Sequence, residues 1–171
     1  LRDMVAQTTI RVSVGPGGVE ADGPSFSPRI SADGHCVVFE SDATNFDPLD
    51  TNGLRDVFVV DLVAGTIECV TIDLFNSATA NGRSEVACLS EDGRYVAFQS
   101  SASNLVKSDL NGVSDVFLHD RTSSHTTCLS MRGDGLVSAN GPSWFLTQSG
   151  MTLDAGFVVF SSNATDLVKG D

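Results

Sequence analysis

The sequence predicts an all-β chain folded as a β-propeller of four-stranded antiparallel blades. The stretch Asp50 to Asp61 returns as Asp109 to Asp120, 59 residues later, with seven of twelve positions identical. Each repeat holds four short runs rich in Val, Ile, Phe and Thr, separated by Asp-Gly, Asn-Gly or other Gly-containing turns, which fits antiparallel hairpins. No segment keeps a 3.6-residue apolar period, so almost no helix is expected. A β-sandwich would not ordinarily repeat its sequence at a fixed period, whereas stacked blades do.

In chain order, a partial blade over 1–20 precedes repeats over 21–79 and 80–138 and a partial repeat over 139–171. Ala21-Asp22-Gly23-Pro24-Ser25 is echoed by Ala80-Asn81-Gly82-Arg83-Ser84 and Ala139-Asn140-Gly141-Pro142-Ser143. The predicted strands of the first repeat are 25–30, 35–40, 56–62 and 66–72. In Cys36-Val37-Val38-Phe39 and Val57-Phe58-Val59-Val60 both alternate positions are apolar, as expected of strands covered on both faces. The third repeat reaches its matching Phe157-Val158-Val159-Phe160 three residues late, which places an insertion in 149–156.

With 171 residues and 41% apolar content the chain is long enough for one well-buried core. Its net charge of −12 argues against nucleic-acid partners and favours cations and basic proteins. No run approaches the roughly 20 apolar residues of a bilayer span, so no membrane insertion is expected. Cys36, Cys69, Cys88 and Cys128 form no Cys-x-x-Cys pair. Cys69 and Cys128 hold one repeat position and read as small buried strand residues; a Cys36–Cys88 bridge is compatible with the pattern.

Ser90-Glu91-Asp92-Gly93-Arg94-Tyr95-Val96-Ala97-Phe98 resembles the Ser-Pro-Asp-Gly-x-x-apolar-Ala-Phe core of the WD-like repeats of TolB-type bacterial propellers, and Ser31 to Phe39 resembles it too. Ala32 and Glu91 stand where that pattern has proline. The resemblance implies a six-bladed, usually non-catalytic propeller of a bacterial envelope or secreted protein, periplasmic or extracellular, that acts through binding. This chain would then be half of such a ring.

Asp171 holds the repeat position of Asp109, while Leu1-Arg2-Asp3 is identical to Leu54-Arg55-Asp56. On that match the chain comprises the last two strands of one blade, two complete blades and the first two strands of another. Open blade edges expose backbone and apolar faces. Two arrangements would cover them: further repeats of a longer chain, or a homodimer in which the first strands of one copy complete the last blade of the other.

Asp50, Asn52 and Asp56, repeated as Asp109, Asn111 and Asp115, place three oxygen-bearing side chains around a glycine turn. Loops that bind Ca2+ space their ligands in this manner, although six to eight oxygens are needed and no later bidentate glutamate follows. The competing reading makes Asn52-Gly53 and Asn111-Gly112 turns and makes Asp56 and Asp115 caps of backbone amides. His119 lies beside Asp120, but strand neighbours point to opposite faces, which argues against a catalytic pair. Trp144 and Phe145 break the repeat on the innermost strand, where an aromatic stacks on a ligand or packs into the core. The sequence thus points to a non-catalytic module for protein or small-ligand binding or scaffolding, with calcium-stabilised loops. Its rival is the propeller domain of an envelope or extracellular enzyme, such as a glycosidase, lyase or peptidase.

Overall fold

The computed structural model describes residues 1–145 and 150–170. Among them lie two four-stranded antiparallel sheets and the start of a third. The first sheet contains β1 (Ser25–Ile30), β2 (Cys36–Ser41), β3 (Asp56–Asp61) and β4 (Thr66–Cys69), paired in chain order. The second repeats it with β5 (Ser84–Leu89), β6 (Tyr95–Ser100), β7 (Asp115–Asp120) and β8 (His125–Cys128). β9 (Ser143–Trp144) and β10 (Ser161–Ser162) open the third unit. The one helical element among the described residues is a three-residue 3-10 turn at Pro16–Gly18.

Apolar side chains on both faces of the inner strands explain how the sheets stack. Val38, Val57 and Val59 of the first sheet meet Val96, Phe98 and Phe117 of the second in one buried cluster. Ala97 and Val116 on the opposite face of the second sheet meet Phe145, Val158 and Phe160 of the third unit in another. Val37, Phe39 and Phe58 face back towards Val12 and Ala21. Each sheet therefore has a forward and a backward apolar face, which is blade-on-blade packing.

A polar contact reinforces each junction. β1 and β5 both carry a bulge, with Ser27 and Val86 at positive φ (52° and 55°). A bulge leaves one amide outside the ladder. The Val86 N–H donates to Glu40 Oε1 of the preceding sheet at 2.9 Å, and the Phe145 N–H donates to Gln99 Oε1 at 3.1 Å.

The Asp-centred turn between the first two strands makes the same hydrogen bonds in all three units. Ser31, Ser90 and Thr152 donate to Asp33, Asp92 and Asp154, and each hydroxyl accepts the amide five residues on. The left-handed position falls to Gly34 and Gly93, but in the third unit to Ala155 at φ 56°.

Two sequence expectations need correction. Residues 1–14 do not repeat Leu54-Arg55-Asp56. Asp3 Oδ1 accepts the amides of Val5 and Ala6 as Asp61 Oδ1 accepts those of Val63 and Ala64, and Gln7 takes the positive φ of Gly65. The bridges Val14–Glu20 and Ile72–Thr79 extend the correspondence. Residues 1–14 thus follow the pattern of Val59 to Ile72, with Arg2 bridging Thr9 as Val60 pairs with Ile67. The turn Thr152–Gly156 is no longer than its counterparts, because Met151–Val158 pairs across the same interval as Leu89–Val96. The three extra residues therefore lie before Met151, in a stretch whose residues 146–149 fall outside the described ones, as does Asp171.

Candidate functional site

The Asp-x-Asn-Gly-x-x-Asp loop joins the second strand of each blade to the third. Gly53 and Gly112 adopt φ of 65° and 69°, where a side chain would strain the backbone, so the glycine turn is required. The turn is closed by Asn52, whose Oδ1 accepts the Leu54 amide at 2.6 Å. Its Nδ2 is thereby directed inward, donating to Asp56 Oδ2 at 2.9 Å and to the Ala80 carbonyl at 2.8 Å. Asn111 repeats all three contacts, to the Val113 amide, Asp115 Oδ2 and the Ala139 carbonyl. The amide orientation follows from its partners: two acceptors face the nitrogen and one donor faces the oxygen.

Asp56 and Asp115 open the third strands and have no solvent-exposed surface. The Thr71 hydroxyl donates to Asp56 Oδ1 at 2.6 Å and accepts the Val57 amide; Ser130 does the same for Asp115 and Val116. Burial, partly offset by these hydrogen bonds, pushes Asp56 up to about 7 and Asp115 up to about 6. Each carboxylate pins strands three and four together and anchors the loop before them.

Asp50 and Asp109 differ from these two. They are 6% and 4% exposed, and Oδ1 of each receives one long hydroxyl bond, 3.4 Å from Thr79 and 3.3 Å from Ser138. Oδ2 of each is buried with no hydrogen-bond partner. Burial raises both pKa values, opposed by the Thr79 and Ser138 hydroxyls and by the backbone amides of Asn52 and Asn111. A lone-pair site sealed from water without a donor is costly, and its presence in both loops makes it a property of the repeat rather than of one rotamer. Among the described residues no group of three His, Cys, Asp or Glu side chains is placed to share a metal.

The remaining sequence candidates separate clearly. Phe145 is 6% exposed and packs with Cys88, Ala97 and Val116, so the structure puts it in the core; Trp144 beside it is half-buried on β9. His119 Nδ1 lies 2.9 Å from Thr126 Oγ1, and burial lowers its pKa. All four cysteines are buried free thiols, with burial pushing Cys88 up to about 11 and Cys128 up to about 12.

Sequence reasoning missed a pair of grooves at one repeat position, between neighbouring units. The first, about 510 Å³, is lined by Val14, Val60, Thr66 and Ile67. Its counterpart of about 270 Å³ has Ile72, His119, His125 and Thr126 in those places. The substitution of His119 for Val60 was the available signal.

No protein family and no curated protein sequence matches the chain. Solved structures do resemble it. TolB from Acinetobacter baumannii is 17% identical over 84% of this chain and 30% of its own, with a TM-score of 0.40. A protein assigned as TolB from Agrobacterium tumefaciens is 17% identical over 85% of this chain and 47% of its own, with a TM-score of 0.47. The β-propeller domain of the Trilobed protease from Pyrococcus furiosus, which has an open velcro topology, is 17% identical over 60% of this chain and 27% of that one, with a TM-score of 0.39. The chain spans less than half the length of each of these structures, and the likeness concerns fold alone.

Proposed function

We propose that this chain is a non-catalytic propeller module for protein or ligand binding and scaffolding, with Ca2+ stabilising its Asp-x-Asn-Gly loops. The observation that carries the non-catalytic reading is the placement of its most perturbed carboxylates. Asp56 and Asp115 recur at one repeat position, are sealed from solvent and have both oxygens hydrogen-bonded. A general acid or base needs a free face towards substrate. Trp144 is the aromatic such a module would offer to a ligand.

The cation part rests on the partnerless Oδ2 of Asp50 and Asp109. Because Asn52 and Asn111 act as donors to Asp56 and Asp115, the other ligands would be hydroxyl, carbonyl and water oxygens. So sparse a carboxylate set fits the weak 10⁻⁴–10⁻³ M affinities of extracellular calcium modules. Periplasmic or extracellular placement belongs to the same proposal and agrees with the TolB resemblance; among the described residues no helix is long and apolar enough to cross a membrane.

Melting the protein in about 10 mM CaCl2 and in EDTA tests this. A ligand at about 100 times its Kd adds about 2.7 kcal/mol, a rise of several degrees for a chain of this size. The rise should vanish in Asp50→Asn/Asp109→Asn. Equal melting temperatures overturn the cation, and turnover of glycoside or peptide substrates by the purified protein overturns the non-catalytic reading.

A further inference from the structure

The groove between the two complete blades differs from its counterpart in chemistry as well as in size. It is lined by Ile72 and Asp73 from the connection after β4, by Leu105, Val106 and Lys107 from the loop after β6, and by His119 and His125 of β7 and β8. Every one of these residues belongs to a whole blade or to the connection between two whole blades. The volume, about 270 Å³, lies just below the roughly 300–1,000 Å³ of drug-sized ligand pockets, which suits a small molecule.

The distribution of charge sets the kind of ligand. The chain carries a net charge of −12 and has two lysines and three histidines in all, yet Lys107 and two of the histidines line this one groove. The carboxylates around it are committed elsewhere. Asp73 Oδ1 accepts the Phe75 and Ser77 amides, and its Oδ2 accepts the Ser77 hydroxyl. Glu68 and Asp120, whose charges act on His119, are ion-paired with Arg121 and Arg94. The basic groups keep donors to spare. Among the described residues Lys107 has no hydrogen bond or ion pair, and the contact of His119 Nδ1 with Thr126 Oγ1 leaves Nε2 for a ligand. In the first unit the positions of Lys107, His119 and His125 hold Pro48, Val60 and Thr66, so the repeat itself does not require a basic set.

We propose that this groove is a binding site for a small organic carboxylate. Lys107 holds the anionic head, the imidazoles of His119 and His125 are further donors, and a short apolar tail lies against Ile72, Leu105 and Val106. Charge-assisted hydrogen bonds favour an anion here, where the rest of an acidic surface repels it. The site is separate from the Asp-x-Asn-Gly loops and stands whether or not those hold Ca2+.

The probe is hexanoate, titrated into the intact protein at low salt and read from the imidazole resonances. Those of His119 and His125 should shift saturably with a Kd on the order of 1 mM, while His35, in the turn before β2, stays in place. Hexanamide, which has the same tail and no charge, should move none of the three. Lys107→Ala, at an exposed loop position, should raise the Kd about tenfold. The absence of a saturable shift, equal shifts with hexanamide, equal movement of His35 or an unchanged Kd in Lys107→Ala overturns the proposal. So does tighter binding of inorganic phosphate, which would make the groove a site for a bare anion.

Discussion

Ala97 and Val159 hold the same place on the second strand of successive units, yet Ala97 has no exposed surface and Val159 is 73% exposed. The local conditions are alike. Both follow a Ser/Thr-x-Asp turn of one geometry, and both precede a hydroxyl that accepts the amide two residues on, Ser100 with Ala102 and Ser162 with Ala164. The difference lies in what stands in front: Ala97 meets the third unit through Phe145 and Val158, while Val159 meets no further sheet among the described residues. Local sequence thus sets strand and turn, whereas burial is conferred by the neighbouring blade. In repeat structures stability is a sum of unit and nearest-neighbour terms, and here the two can be separated within one chain.

Truncation of two phenylalanines, one buried and one bare, gives the largest contrast. Phe98 is wholly buried between sheets, and Phe98→Ala should cost about 3–5 kcal/mol. Phe157→Ala, on the bare forward face, should change stability by less than about 0.5 kcal/mol. Urea midpoints of the two variants measure the difference. Comparable losses would show that the forward face of the third unit is covered in solution and would erase the distinction.

The buried carboxylates sharpen the comparison through pH, because both belong to complete blades. The folded pKa values, about 7 for Asp56 and about 6 for Asp115, lie above the ordinary aspartate value of about 3.9. The folded state therefore binds protons more readily than the unfolded chain. Their contribution is full below about pH 4 and is lost as pH rises through 6 to 7. Exposed Asp33 and Asp92 act oppositely, since hydrogen bonds from Ser31 and from the Arg94 amide and Ser90 lower their pKa and their contribution is lost in acid. The unfolding free energy from denaturant titration should accordingly be higher near pH 5 than near pH 8, by about 1 kcal/mol or more. Asp56→Asn/Asp115→Asn should flatten the neutral-side decline, and a midpoint that rises from pH 5 to 8 would contradict the raised pKa values.

Much of this architecture is written in short patterns. The strand predicted over 25–30 is β1, and the 56–62 and 66–72 runs contain β3 and β4. Strand periodicity and Asp-Gly turns are local, so one sequence suffices to read them. The loop chemistry was half legible: the spacing of Asp50, Asn52 and Asp56 marked a repeated polar site, but only the Leu54 amide shows that Asn52 turns its nitrogen towards Asp56. The sequence left Phe145 between stacking on a ligand and packing into the core, because its burial depends on Ala97 and Val116, distant in sequence. The Leu-Arg-Asp match at residue 1 misled for another reason. Asp3-x-Val5-Ala6-x-Thr8 repeats Asp61-x-Val63-Ala64-x-Thr66, a better match at a spacing one residue short of the period, and the seventeen-residue connection before β1 hides the offset.

The smallest effect concerns the turn of the third unit. Gly34 and Gly93 take the left-handed position without a Cβ, whereas Ala155 takes it at φ 56° with one. Its hydrogen bonds are intact, Thr152 to Asp154 and the Gly156 amide to Asp154, so the turn is formed against the preference of alanine. A left-handed non-glycine residue costs of order 1 kcal/mol, and glycine's greater freedom in the unfolded chain returns part of that. Ala155→Gly should therefore stabilise the protein by about 0.5 kcal/mol, with the gain seen as slower exchange at residues 151–158. That local gain should appear without any change at β5 to β8, because the turn belongs to the unit term and not to the blade-to-blade term. A gain spread over the second sheet would mean that the third unit and its neighbour fold as one cooperative block, and the separation drawn between Ala97 and Val159 would then hold for burial but not for energy.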